Sequence, residues 1–242
     1  MRTLNAQERP ILPSATQKRT KTRIVILMLL SIGTMINYLD RTILGIVAPK
    51  LTSEIHIDPA MMGIVFSAFA WTYALAQIPG GMFLDRFGNK LTYALSIFFW
   101  STFTLLQSFS VGLKSLLLLR LGLGISEAPC FPVNSRVVSK WFPQHERARA
   151  TATYTVGEYI GLAAFSPLLF LILEHHGWRT LFFLTGGLGI AFTFVWWKFY
   201  HEPHQSKTAN KAELEYIGVE NTASADENIP FNWPDAKRLL CC

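Results

Sequence analysis

The sequence has little of the material that small secreted domains and metalloenzymes use to hold a fold or a metal. Only three of its 242 residues are cysteines, Cys130, Cys241 and Cys242, which excludes a disulfide framework. Neither a CxxC pair nor a Cys/His cluster points to a metal site, and we expect no cofactor. Charged residues make up 16%, against roughly 25% in an average soluble domain. Half of the residues are hydrophobic, which excludes a disordered chain.

Polar residues are scarce between about residues 24 and 200, where the apolar runs are too long for one soluble core. A bilayer core of about 30 Å requires roughly 20 apolar residues in a helix. Helices are expected because lipid cannot hydrogen-bond exposed backbone groups. The predicted fold is therefore an all-α membrane protein with six transmembrane helices. The six predicted spans cover residues 24–48, 60–84, 91–110, 113–138, 150–173 and 180–200.

Lysine and arginine are unevenly distributed between the two sides of this predicted bundle. Six lie in the N-terminal segment 1–23, and more lie after the second and fourth spans, whereas the opposite side has only Lys50, Lys114 and Arg179. Cytoplasmic loops carry the excess of positive charge. We therefore predict a cytoplasmic N-terminus and tail, and we interpret the net charge of +6 as this orientation signal rather than as a nucleic-acid surface.

The tail, residues 201–242, is polar and mixed in charge. It contains an apolar-periodic patch at 212–217, followed by a Ser/Ala/Asp/Asn stretch that is typical of a linker. The last residues resemble the approach to another span. We predict a cytoplasmic loop, truncated before a second bundle.

Five charged residues lie inside the predicted spans, where each is costly and usually faces a cavity or a partner. They are Asp40, Arg41, Arg120, Glu127 and Glu158. Arg120, Glu127 and Asn134 are seven residues apart, which places them within about 20° of one helix face. Pro129 and Pro132 should interrupt and bend the same helix.

Three other predicted helices carry polar stripes at the spacing of one helix face. These are Asn37, Asp40 and Arg41 with Tyr38 in the first span, Tyr73 with Gln77 in the second, and Tyr154 with Glu158 in the fifth. Four stripes that converge on one cavity would form an amphiphilic binding site. Structural alternatives stay open: Asp40 or Arg41 near the membrane interface with its charge directed to water, a salt bridge without a ligand, a buried neutral acid, or tyrosines that only pack.

Proton exchange is the chemistry that these charges would support. Burial disfavours an ionised carboxyl group, whereas a nearby arginine favours it, so a carboxyl group under both influences can exchange a proton near neutral pH. Asp40 beside Arg41, and Glu127 two turns from Arg120, are the candidates. When the acid is protonated, its arginine is released to hold an anion.

The loop between the second and third predicted spans carries the motif Gly81, Asp85, Arg86, Gly88 and Lys90. It resembles the G-x-x-x-D-R-x-G-x-K loop of the major facilitator superfamily. The resemblance implies a tight, charged turn that locks the cytoplasmic gate.

Further motifs resemble the anion:cation symporter family within that superfamily, and most of all the bacterial sugar-acid transporters for galactonate, glucarate or hexuronates. They lie at 37–41, 66–71, 77–81, 127–134, 141–148 and 211–217. The resemblance implies proton-coupled uptake of an organic anion by alternating access in the bacterial inner membrane. It also implies two six-helix halves with the site between them, so we expect this chain to lack its C-terminal half.

The resemblance also implies residue roles. Asp40 and Glu127 would be the protonated acids, with Arg120 tuning Glu127. The substrate contacts would come from Tyr38, Arg41, Tyr73, Asn134 and Glu158. The galactonate-type pattern has Gln where this chain has Glu158, which leaves the identity of the sugar acid open.

Two other classes of function compete with transport. A membrane binding or sensor protein would hold an organic anion without moving it. An intramembrane enzyme could use two of the three acids, Asp40, Glu127 and Glu158, as a carboxylate pair, but no HExxH motif, nucleophile elbow or Gly-rich phosphate loop accompanies them. We expect that the protein is not an enzyme.

Overall fold

The computed structural model describes residues 18–218, so the predictions for 1–17 and 219–242 lie outside the described residues. The helices are α1 Thr22–Ile55, α2 Pro59–Gln107, α3 Leu113–Glu127, α4 Cys130–Trp141, α5 Gln144–Phe199 and α6 Lys211–Ile217, with a 3₁₀ turn at Pro203–Gln205. Residues 18–218 contain no strand. Four stretches are long and apolar enough to cross a membrane: α1, α2, Leu113–Trp141 and α5. The predicted class, an all-helical membrane protein, is confirmed.

Two of the helices are far longer than a bilayer, and each is broken at one glycine. The 49 residues of α2 would reach about 74 Å if straight. At Gly88 the backbone turns to φ 77° and ψ 173°, and in α5 Gly177 does the same with φ 80° and ψ 170°. Glycine tolerates positive φ because it has no Cβ. Helical segments therefore cover 59–87, 89–107, 144–176 and 178–199.

The predicted loops at 85–90 and 174–179 are therefore wrong in extent. Their polar residues lie in helical turns on either side of a single non-helical residue. Polar side chains at the end of a span reach water without leaving the helix, which the charge pattern does not reveal. The predicted end of the first span at residue 48 is also too early, since α1 continues through Pro49 to Ile55.

The predicted interruption of the fourth span is present. The helix is broken at Ala128 and Pro129, between the end of α3 at Glu127 and the start of α4 at Cys130. Because proline has no N–H group to donate, the helical hydrogen-bond ladder is lost at this point.

Aromatic and ionic contacts join the segments at both ends of the molecule. At the end that contains Thr22 and Gly88, Trp196 stacks on Tyr200 with ring centroids 4.3 Å apart, and its indole N–H donates to the Lys90 carbonyl over 3.2 Å. We call this the N-terminal end. At the opposite end, the Glu54 carboxylate accepts from the Trp178 indole at 2.7 Å and from Arg179 at 3.1 Å.

Helix α6 contains the apolar-periodic patch predicted in the tail, and it packs against the beginning of α1. Glu213 is fully buried, and its carboxylate accepts hydrogen bonds from the backbone N–H groups of Thr22 at 3.3 Å and Arg23 at 3.1 Å, and from the Thr20 hydroxyl. The N-cap of α1, Lys21, supplies no side-chain cap. Glu213 therefore caps α1 from about 190 positions further along the chain.

A second set of contacts ties α6 to α5. The Tyr216 hydroxyl donates to Glu146 at 2.8 Å, and Glu146 forms an ion pair with Arg23 at 2.7 Å. The Arg19 guanidinium lies 3.8 Å from the centre of the Tyr216 ring. We call Arg19, Thr20, Arg23, Glu146, Glu213 and Tyr216 the α6 clamp.

Candidate functional site

An ion pair between α1 and the end of α3 lies at the centre of the candidate site. Both the Nε and an Nη atom of Arg41 contact one carboxylate oxygen of Glu127. The Glu127 side chain is fully buried, whereas the Arg41 side chain is 23% exposed. Glu127 is the last residue of α3, immediately before the proline break, so local chain geometry places its carboxylate beside α1. The arginine is therefore held by a buried acid and is still open on one side.

Three aromatic rings surround the guanidinium group of Arg41. Ring centroids lie 4.7 Å away for Tyr73, 5.0 Å for Tyr38 and 5.2 Å for Phe69. Aromatic faces attract a cation at such distances. Tyr38 and Tyr73, both predicted site residues, thus meet at Arg41. Phe69 was missed by the sequence analysis, although its i, i+4 spacing from Tyr73 on α2 is a signal for it.

Asp40 is the next residue to Arg41, but its surroundings are different. It is 2% exposed, and neither carboxylate oxygen has a hydrogen-bond partner within residues 18–218. Its polar neighbours are Thr185 of α5 and Trp100 of α2. Consecutive helical residues point about 100° apart, so Asp40 faces the second segments of α2 and α5 rather than the aromatic rings around Arg41.

Arg120 completes the intramembrane charges on this side of the bundle. It is 3% exposed, and two of its guanidinium nitrogens have no hydrogen-bond partner in the described part of the chain. The expected pairs, Asp40 with Arg41 and Glu127 with Arg120, are therefore wrong as direct pairs, because Glu127 is bound by Arg41. Arg120 is near enough to act on both acids by charge. Two cations and two acids make the cluster formally neutral when all are ionised.

The two remaining predicted substrate residues lie in different places. Glu158 of α5 is 2% exposed and lies next to the hydroxyl group of Tyr38, one of the aromatic residues around Arg41. Asn134 of α4 donates its amide to the Thr34 hydroxyl at 3.3 Å. Thr34 precedes Arg41 by seven residues, which is about 10 Å along α1. Asn134 therefore belongs to the polar stripe but lies away from the arginine.

The motif at residues 81–90 lies at the N-terminal end, around the glycine break. The Asp85 carboxylate accepts from Arg136 of α4 at 2.7 Å. Gly81 borders the same groove as Asp85 and Arg136. Gly88 provides the break itself, so the expected tight turn is present as one residue of left-handed backbone.

The two basic residues of this motif contact aromatic rings. The Arg86 guanidinium lies 5.5 Å from the centre of the Phe87 ring, and the Lys90 ammonium lies 5.3 Å from that of Trp197. Both contacts keep positive charge at the end of the helical segments.

The fold and the buried ionic cluster define the class: a multi-pass helical membrane protein with a polar site at bilayer depth. The family model of the Major Facilitator Superfamily matches residues 30–240. This match covers most of the chain, which therefore belongs to that superfamily.

Curated relatives carry transporter names. The chain is 47% identical to the D-galactonate transporter of Escherichia coli O6:H1, over 85% of this chain and 48% of that protein. It is 42% identical to the "Probable galactarate/D-glucarate transporter" of Escherichia coli K12, over 94% of this chain and 54% of that protein. The chain thus spans about half the length of these relatives. The family and these names favour a transporter over the enzyme alternative.

Solved structures agree with the fold. A bacterial homologue of the human lysosomal transporter Spinster, inward-facing and occupied, aligns with a TM-score of 0.67 and 26% identity over 76% of this chain and 45% of that one. The inward-open xylose transporter of E. coli aligns with a TM-score of 0.62 over 86% of this chain and 55% of that one, and its 15% identity supports the fold alone.

Proposed function

We propose that this chain is the N-terminal half of a proton-coupled transporter that takes up a sugar acid, such as galactonate or glucarate, across the bacterial inner membrane. The proposal includes six spans between residues 24 and 200, with segment 1–23 and loop 201–242 in the cytoplasm. The C-terminal half would supply the other wall of the site. The names of the relatives and the half-length match support this proposal.

The contact that carries the proposal is the Arg41–Glu127 ion pair inside its aromatic cage. A guanidinium group binds a carboxylate through two parallel N–H donors, and Arg41 now directs donors at Glu127. When Glu127 takes up a proton, its charge is lost and the arginine can turn to the carboxylate of the substrate. Binding of the anion and of the proton would then be one event.

Asp40 and Arg120 would provide the second proton step. Asp40 has no hydrogen-bond partner among residues 18–218 and lies within the field of Arg120 and Glu127. A buried carboxylate without a partner is costly, and protonation removes that cost. We assign proton coupling to Asp40, Glu127 and Arg120, and substrate contacts to Tyr38, Arg41, Tyr73 and Glu158; a contact of the substrate with Asn134, which lies away from Arg41, stays a prediction from the sequence.

The motif around Gly88 would work as the cytoplasmic gate. The Asp85–Arg136 ion pair ties the first segment of α2 to α4, and Gly88 allows a sharp change of direction. Contacts of this kind hold one end of a carrier closed while the site is open at the other end.

Uptake by the full-length protein tests the proposal. Proteoliposomes with an acidic outside should accumulate radiolabelled D-galactonate, and dissipating the pH gradient should stop accumulation. Glu127→Gln should reduce accumulation at least a hundredfold while galactonate binding persists, because the glutamine cannot exchange a proton. Glu174→Gln, an exposed position on α5, is the control and should accumulate normally.

Two outcomes would count against this function. Binding of galactonate without flux under any gradient would indicate a binding or sensor protein. Normal accumulation by Glu127→Gln would show that this acid does not couple proton movement to transport.

A further inference from the structure

The surroundings of Arg41 have an unusual balance of charge for a protein that binds anions. Two acids lie near this one arginine, since Glu127 forms an ion pair with it and Glu158 is close enough to interact with it by charge, and the Arg41 side chain is still 23% exposed. Arg120, the other intramembrane cation, interacts with Asp40 and Glu127, whereas the cation that acts on Glu158 is Arg41. The described half therefore offers one place for a carboxylate.

Glu158 of α5 approaches Arg41 from a different helix than Glu127, which ends α3. The Tyr38 ring links the two groups, since its face lies 5.0 Å from the Arg41 guanidinium and its hydroxyl adjoins the Glu158 carboxyl group. A ligand held by Arg41 at one end therefore extends towards Glu158. A carboxylate accepts hydrogen bonds and donates none when ionised, so it suits hydroxyl groups.

We infer that Glu158 makes this protein selective for sugar acids with one carboxylate over those with two. This inference rests on the proposed function and, of the two sugar acids named there, selects galactonate over the dicarboxylate glucarate. Arg41 takes the carboxylate of the substrate, and Glu158 accepts hydrogen bonds from hydroxyl groups at the far end. A second carboxylate at that end would face Glu158, and like charges placed together across a binding site oppose binding strongly.

Two ligands, D-galactonate and galactarate, allow sugar acids with one and two carboxylates to be compared directly. D-galactonate and galactarate share the arrangement of their inner hydroxyl groups and differ at one end, where the first has a hydroxymethyl group and the second a carboxylate. Curated relatives of this chain are named for each of them. The selectivity is therefore a property of the individual protein and not of the fold.

The experiment is competition against labelled D-galactonate uptake by the full-length protein in proteoliposomes. Unlabelled galactarate should compete at least tenfold less well than unlabelled galactonate. In Glu158→Gln, which keeps the size and removes the charge, the ratio of the two inhibition constants should fall about tenfold, through weaker galactonate and stronger galactarate binding. Glu174→Gln, on the same helix but exposed, should keep the parent ratio.

The possible outcomes test this inference separately from the proposed transport function on which it rests. Equal competition by both ligands in the parent protein would overturn the selectivity and leave transport intact, and this result needs no variant. An unchanged ratio in Glu158→Gln would overturn the role of Glu158. Failure of galactonate to be taken up or to bind would overturn the proposed function itself.

Discussion

The α6 clamp and the intramembrane charge cluster bury acids in opposite ways. Glu213 in the clamp is fully buried, and three donors surround its carboxylate. Asp40 in the cluster is 2% exposed, yet neither oxygen has a hydrogen-bond partner among residues 18–218. A satisfied buried acid rigidifies a structure, whereas an unsatisfied one costs free energy. The hydrogen bonds of the α6 clamp therefore stabilise the fold. Asp40 in the charge cluster retains a free-energy cost of burial, which protonation can remove.

Replacing the unsatisfied acid gives the largest expected effect. Asp40→Asn should reduce proton-driven accumulation at least a hundredfold, because the amide cannot carry the proton. The melting temperature in detergent should stay equal or rise, since the substitution removes the charge of a buried carboxyl group that has no hydrogen-bond partner among residues 18–218. Uptake and thermal unfolding on the same preparation measure both. A lowered melting temperature with normal uptake would show that Asp40 serves stability, as Glu213 does, and not proton coupling.

Replacing Arg41, whose side chain is partly exposed, should give the second-largest effect. Arg41→Lys keeps the charge but loses the planar fork and the stacking on aromatic faces. We expect galactonate affinity to fall about tenfold, which corresponds to 1.4 kcal/mol. Lys50, exposed at the end of α1, offers the converse control, and Lys50→Arg should leave affinity unchanged. An unaltered affinity in Arg41→Lys would exclude bidentate binding of the carboxylate.

Replacing Glu213, the hydrogen-bonded acid of the α6 clamp, should have the smallest effect on transport and a measurable effect on stability. Glu213→Gln removes the charge that caps α1, and we expect a loss of about 1–2 kcal/mol in the free energy of unfolding, typical of a lost cap or charged hydrogen bond. Glu215→Gln on the exposed side of α6 is the matched control. Galactonate affinity should not change in either variant, and a large loss of affinity in Glu213→Gln would link the clamp to the site.

The sequence predicts the membrane-embedded helical class well because bilayer thickness imposes a length on apolar runs. It also identifies the five intramembrane charges, since each is costly in lipid. The apolar-periodic patch at 212–217, predicted only as part of a loop, coincides with helix α6. These features depend on local pattern alone.

The pairing of the charges was not predictable in the same way. Arg41 and Glu127 are 86 residues apart, and their contact depends on how α1 and α3 are rotated against each other. Spacing along one helix favoured Arg120 for Glu127, but it does not report that rotation. The cap that Glu213 provides for α1 is hidden for the same reason, because its partners lie about 190 residues away.

The two glycine breaks lie within predicted loops, but their extent, a single residue each, escaped prediction. Gly88 and Gly177 lie among polar residues that indicated whole loops, and only the backbone shows that one residue suffices. Sixteen glycines occur in the chain, and sequence pattern does not distinguish those with positive φ.

The central claim is that Arg41 is shared between the Glu127 carboxylate and the carboxylate of the substrate. Titration calorimetry of D-galactonate binding, in two buffers of different ionisation enthalpy, measures the protons taken up on binding. The account predicts net proton uptake by the full-length protein and a smaller uptake by Glu127→Gln at the same pH. Equal proton uptake by both proteins, or none by the parent, would contradict it.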